Sequence, residues 1–142
     1  MDVRSPDFLA QEEIVFEETA RRYEPGVLNI AGIYGMKASM DMLLAAGLER
    51  VEAAVLDARD FLQGLLREKG FDFLSPDEQE PLRSGILAAR HPREDNRELF
   101  AKLEAGGVNA SLRSSRNGLQ WLRFSPHFYN TREEMVRVAE LI

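Results

Sequence analysis

The chain has 142 residues, a formal net charge of −6 at pH 7 and a hydrophobic content of 44%, the size and make-up of one soluble globular domain and too apolar for a disordered chain. With 18 basic against 24 acidic residues it lacks the positive excess that a generic nucleic-acid or anionic-membrane surface needs. The absence of cysteine excludes a disulfide scaffold, a thiolate metal site and a cysteine nucleophile.

No apolar run approaches the length of a membrane span, and the start carries no apolar signal core, so a cytoplasmic protein with neither membrane nor nucleic acid as partner is expected. Residues 1–25 are glutamate-rich and weakly periodic, with Ile14, Val15 and Phe16 as a short apolar patch. Alone this stretch buries too little apolar area to offset the entropy of ordering it. Tyr23-Glu24-Pro25-Gly26 reads as a turn, Pro25 fixing φ and Gly26 permitting a positive one. A helix is expected over residues 32–46, with Ile33, Met36, Met40, Leu43 and Leu44 on one face and Gly47 ending it. A second is expected over 48–69, with Leu48, Val51, Val55, Ala58, Leu62, Leu65 and Leu66 as its stripe. Gly70 closes it, and Gly64 inside it points to close packing or a bend, since glycine there costs about 1 kcal/mol against alanine.

The remainder reads β, β, α, β, β, α. Residues 71–74 and 84–90 are strand candidates, with a helical turn at 75–78 between them. Residues 92–105 form an amphipathic helix that Gly106-Gly107 stops, with Leu99, Phe100 and Leu103 inward. Strands over 108–113 and 119–125 flank Asn117-Gly118, a hairpin turn signal. Thr131-Arg132-Glu133-Glu134 fits a capping box opening a last helix, with Met135, Val138, Ala139 and Ile142 inward. The expected fold class is α+β: a two-layer sandwich whose small, mainly antiparallel sheet carries helices on one face, preceded by two longer helices.

Standard catalytic templates are absent: no G-x-G-x-x-G, no Walker loop, no H-E-x-x-H and no G-x-S-x-G. His91 and His127 stand far apart without a third nearby ligand, so no metal site is expected. Asn109-Ala110-Ser111 matches the glycosylation pattern by coincidence. Arg113, Arg116 and Arg123 lie on or between the last two strands. Leu122 and Phe124 share one face of the last strand, while Trp121, Arg123 and Ser125 share the other. If the first face packs on the helices, Arg123 points away from the domain's own core, where it either pairs with a surface acid or meets a ligand or partner domain.

The segment Arg123-Phe124-Ser125-Pro126-His127-Phe128-Tyr129-Asn130-Thr131-Arg132-Glu133-Glu134 resembles the C-terminal signature of class V aminotransferases. This is the pyridoxal-phosphate fold-type I group that includes cysteine desulfurases, kynureninases and isopenicillin N epimerase-like proteins. Upstream, Arg22-Tyr23-Glu24-Pro25-Gly26-Val27-Leu28-Asn29-Ile30-Ala31-Gly32 is similar to the family's R-F-E-x-G-T-x-N segment, and Ser84-Gly85-Ile86 precedes a strand as in the family. The resemblance spans about residues 14–142.

It implies a C-terminal small domain, residues 32–142, with residues 1–31 as the linker from a missing large domain. In the family the large domain carries the Schiff-base lysine; here Lys37, Lys69 and Lys102 match no family lysine motif, so no catalytic residue is assigned and the chain alone is expected to be inactive. Arg123 matches the arginine that holds the substrate α-carboxylate. Gly26 matches the glycine of the loop reaching the partner subunit's cofactor phosphate, where the family has Thr or Ser next and this chain has Val27; Asn29 matches a family position in the same loop. The implied cofactor is pyridoxal 5'-phosphate in the parent enzyme, and the implied partners are the large domain, a second copy in a homodimer and an amino-acid substrate. Cysteine desulfurases place their nucleophile in the loop before the arginine strand; Arg113-Ser114-Ser115-Arg116-Asn117-Gly118 has none, so a transaminase-, epimerase- or kynureninase-like parent is expected. The competing reading is a stand-alone α+β module that binds small carboxylates or a protein. A third, structural one is dimerisation through the methionines of the first helix.

Overall fold

The computed structural model describes residues 16–24, 26–74 and 83–142; the helical turn expected at 75–78, and Ile14, Val15 and Pro25, lie outside them. The chain divides into two compact units, Met1–Ala45 and Ala46–Ile142.

In the first unit a 3-10 turn, Ala20–Tyr23, is capped by the Thr19 hydroxyl, which accepts from the Arg21 N–H at 3.3 Å. Gly26 follows at φ 81°, the left-handed conformation that glycine adopts without strain. Helix α1 (Ile30–Ala46) starts two residues earlier than its apolar pattern suggested. Asn29 is the reason: its Oδ1 accepts from the Gly32 N–H at 3.0 Å, satisfying a donor the helix start leaves orphaned. A Cβ on Gly32 would come within 2.6 Å of that Asn29 side chain, so the glycine makes room for the cap. No residue of α1 is buried, and Ile30, Tyr34 and Met42 are as exposed as Ile33, Met36 and Met40, so apolar side chains lie on several sides of it beside the exposed Lys37–Asp41 pair.

The second unit opens at Gly47 (φ 88°) with helix α2 (Leu48–Glu68). Its C-terminal half carries the core residues Leu62 and Leu66, while Leu48, expected inward, is exposed. Gly64 is not tightly packed: a Cβ there would meet nothing within 4 Å. The sheet has four antiparallel strands, β1 (Asp72–Phe73), β2 (Leu87–Arg90), β3 (Ser111–Ser114) and β4 (Gln120–Phe124), in the order β1-β2-β4-β3. Helix α3 (Asn96–Ala105) lies between β2 and β3 in the chain, and α4 (Arg132–Leu141) ends it.

Two strands are shorter than their apolar runs, for local reasons. The end of α3 closes with the Val108 N–H donating to the Leu103 carbonyl at 2.9 Å, Gly107 standing at φ 76°, and this withholds residues 108–110 from β3. At the start of β2 the Ile86 N–H is held by the Ser84 hydroxyl at 3.3 Å. Helix α3 begins at Asn96 rather than near Pro92 because side chains already close the preceding turn. The Asn96 Oδ1 accepts from the His91 N–H at 2.8 Å, and the His91 Nδ1 accepts from the Glu94 N–H at 3.0 Å.

Leu87, Ala89, Leu122 and Phe124 face inward and meet Leu62 and Leu66 of α2, Leu99 and Leu103 of α3, and Met135 and Val138 of α4 in one core. Period-two alternation then sends Ala88, Arg90, Trp121 and Arg123 to the opposite face. The architecture is the expected α+β sandwich, with helices on one face of an antiparallel sheet.

Candidate functional site

The candidate site is the outer face of the sheet. Strand register places Arg123 opposite Ala88 on one side and Ser111 on the other. One step along, Trp121 pairs with Arg113. The Arg90 guanidinium lies 5.7 Å from the centre of the Trp121 ring and donates to the Asp72 carboxylate across the β1–β2 ladder at 3.0 Å. One row therefore reads Asp72, Arg90, Trp121, Arg113, and the next reads Ala88, Arg123, Ser111.

Arg90 is committed: its charge is met by Asp72 and its plane by the indole. Arg123 is not. Among the described residues it has neither a hydrogen bond nor an ion pair, and its Nε is buried without a partner. The Trp121 Nε1 on the same face is also buried and unpartnered. Buried donors left in this state cost about 1–3 kcal/mol each; the Arg90 Nε is buried without a partner too, but the rest of that guanidinium is held by Asp72, whereas Arg123 has no such contact among the described residues. Arg113 and Arg116 likewise have no acid partner among the described residues.

The rest of the C-terminal signature has structural work. The Asn130 Oδ1 accepts from the His127 N–H at 2.8 Å, closing the turn after β4. The Thr131 hydroxyl accepts from the Glu134 N–H at 3.3 Å, and the Glu134 carboxylate accepts from the Thr131 N–H at 2.9 Å and from the Asn130 Nδ2 at 3.1 Å. These bonds, the Thr131 backbone donor first and the Asn130 amide second, hold the Glu134 carboxyl below its ordinary pKa. His127 stacks on Tyr129 with ring centres 4.9 Å apart. Within the signature, Arg123 is the residue whose charged group the fold leaves uncommitted.

The upstream loop is less equipped. Gly26 has open space where a Cβ would sit, Val27 is 98% exposed with no polar side-chain atom, and the Asn29 oxygen is occupied in capping α1. Neither histidine has a metal-binding neighbourhood: among the described residues no group of three His, Asp or Glu side chains could hold an ion. A cavity of about 310 Å³ lies on the helix side of β4, lined by Leu62, Phe124, Asn130, Glu134 and Val138; Arg123 does not line it. No described helix is long and apolar enough to cross a membrane.

The sequence brought out Arg123, its outward direction and the placing of Arg113 on the neighbouring strand, but missed Arg90. The signal was present: Arg90 ends an apolar strand and shares the parity of Ala88.

A family model described as aminotransferase class-V matches residues 5–138. No curated protein matches the chain. Among solved structures, the chain is similar to the cysteine desulfurase CsdA from Escherichia coli, with a TM-score of 0.75 and 17% identity over 94% of this chain and 34% of that one. It is also similar to the apo cysteine desulfurase from Thermococcus onnurineus NA1, with a TM-score of 0.74 and 20% identity over 99% of this chain and 36% of that one. At such identities the likeness is one of fold, and the chain spans about a third of the length of either structure.

Proposed function

Because this chain belongs to the class-V aminotransferase family, we propose that it is the C-terminal portion of a pyridoxal-phosphate-dependent enzyme acting on an amino acid, in which Arg123 holds the substrate α-carboxylate. The observation that carries this is that Arg123, alone among the arginines of the two facing rows on β2 and β4, has neither a hydrogen bond nor an ion pair among the described residues, on a face turned away from the domain's own core. A guanidinium binds a carboxylate through two parallel N–H donors, which fixes orientation as well as position. Orienting the amino acid in this way sets the direction of its Cα–H bond, a contribution that proximity and alignment make large. When bound, the cofactor supplies the electron sink for that carbon.

The lysine that carries the cofactor is assigned to the missing large domain. Lys37 is paired with Asp41, Lys69 donates to the Ile142 carbonyl at 2.7 Å, and Lys102 sits on α3. In a homodimer the loop of Gly26, Val27 and Asn29 would reach the partner's cofactor phosphate. Val27 has no hydroxyl, so the contact left to this loop is backbone N–H, with Asn29 shaping the loop through its cap on α1. The turn before β4 holds Ser115, Arg116, Asn117 and Gly118 without a thiol, so the reading excludes a cysteine-dependent desulfurase and favours transamination, epimerisation or kynureninase-like cleavage in the cytoplasm.

Mixed with pyridoxal phosphate and reduced with borohydride, the 142-residue chain should keep its mass. A stoichiometric adduct on one lysine would contradict the proposal. A stand-alone carboxylate-binding module is the second reading, favoured by the complete core of the second unit. Micromolar calorimetric binding of amino or keto acids by the isolated chain, abolished by Arg123→Ala, would decide for it.

A further inference from the structure

Arg123 is not the only uncommitted cation on the outer face. Arg113 lies on β3 two residues beyond Ser111, the residue opposite Arg123, and therefore diagonal to Arg123 across the β3–β4 ladder. Diagonal neighbours of this kind have Cβ atoms about 7–8 Å apart, within reach of two long side chains. Among the described residues, the sheet rows on this face hold three arginines, Arg90, Arg113 and Arg123, against one carboxylate, Asp72, and Arg90 takes that carboxylate. Two like charges on diagonal positions repel each other, an arrangement that anionic ligands relieve. Directly opposite Arg113 is Trp121, whose buried Nε1 donor has no acceptor. The edge of the site away from Ser111 thus combines a free guanidinium with an unfilled N–H donor, both suited to oxygen acceptors.

We propose that the amino acid held by Arg123 carries a second acidic group, and that Arg113 is the residue that selects it. This rests on the carboxylate role of Arg123 proposed above. A neutral side chain of the same shape would leave Arg113 uncompensated, so the site would prefer a dicarboxylic amino acid to its amide.

L-glutamate and L-glutamine differ in charge but hardly in size. Both would be titrated at millimolar concentration into the full 142-residue chain, following the arginine Nε–H and Trp121 Nε1–H resonances. Glutamate should bind in the millimolar range, weaker than the micromolar affinity that would mark a stand-alone module, and roughly tenfold more tightly than glutamine, the size of one charge-assisted hydrogen bond. Arg113→Gln should bring glutamate down to the level of glutamine without changing glutamine. Arg113→Lys, which keeps the charge, should retain part of the preference and serves as a folding control. Arg123→Gln should abolish binding of both ligands. Equal affinities that still depend on Arg123, or a preference that survives Arg113→Gln, would overturn the selection by Arg113 and leave the role of Arg123 standing. Binding indifferent to Arg123→Gln, or no binding, would overturn both.

Discussion

Arg90 and Arg123 sit on neighbouring strands of one face, yet the fold uses the first and leaves the second free. Their truncations should therefore separate. Arg90→Gln loses the Asp72 pair and the stacking on Trp121, both partly exposed, and should cost about 1 kcal/mol in urea unfolding. Arg123→Gln removes no partner and should not lower the urea midpoint. Once the chain is joined to a lysine-bearing large domain, however, it should lower kcat/KM by roughly 10–100-fold, as expected for a lost charge-assisted contact. A second residue-scale test concerns Gly85, where a Cβ would approach Val55 Cγ1 to 2.4 Å. Gly85→Ala should cost about 1–3 kcal/mol through overpacking against α2, and Val55→Ala in the same chain should recover part of it. The direction of Arg123 was legible because strand alternation is a local rule applied to Leu122 and Phe124. Its lack of an acid partner was not, because that depends on which carboxylates other elements bring near. The pairing of Arg90 with Asp72 escaped for the same reason, since it spans two strands.

Helix α4 was the most legible element. The signals that start it, Thr131 and Glu134, lie within one turn and act on each other. That capping box makes the helix start sensitive to acid. Glu134 is held below its ordinary value, so its contribution is fully present above the ordinary glutamate pKa of 4.5 and is lost as pH falls through its lower folded pKa. Stability should fall with acidification below that range, and Glu134→Gln should remove part of the fall, as measured by denaturant midpoints across pH. Helix α3 was misjudged at its start because Asn96 and His91 satisfy backbone groups with side chains, which apolar periodicity does not register. In α2 the close packing read from Gly64 is not found, for want of a neighbour. With open space around it, Gly64→Ala should stabilise the second unit by about 1 kcal/mol in thermal or urea unfolding. Helix α1 looked one-sided from its spacing, but its apolar residues lie on several sides of it, and the pattern of an isolated segment does not say what will lie on each side.

For the whole molecule, the order of elements and the antiparallel sheet were accessible from periodicity and turn signals, whereas the strand order β1-β2-β4-β3 depends on non-local pairing. The second unit closes a core of its own, while α1 in the first exposes an apolar surface. Together with a coverage of 34–36% of the matched structures, these properties suit a portion of a larger enzyme whose free arginine faces chemistry supplied elsewhere. The intact mass of the native polypeptide that carries this sequence tests that claim most directly. The account predicts a chain about three times heavier than 16.1 kDa, with a cofactor-bearing lysine upstream of this region. A native protein of 16.1 kDa purified without a lysine-bearing partner subunit would contradict it.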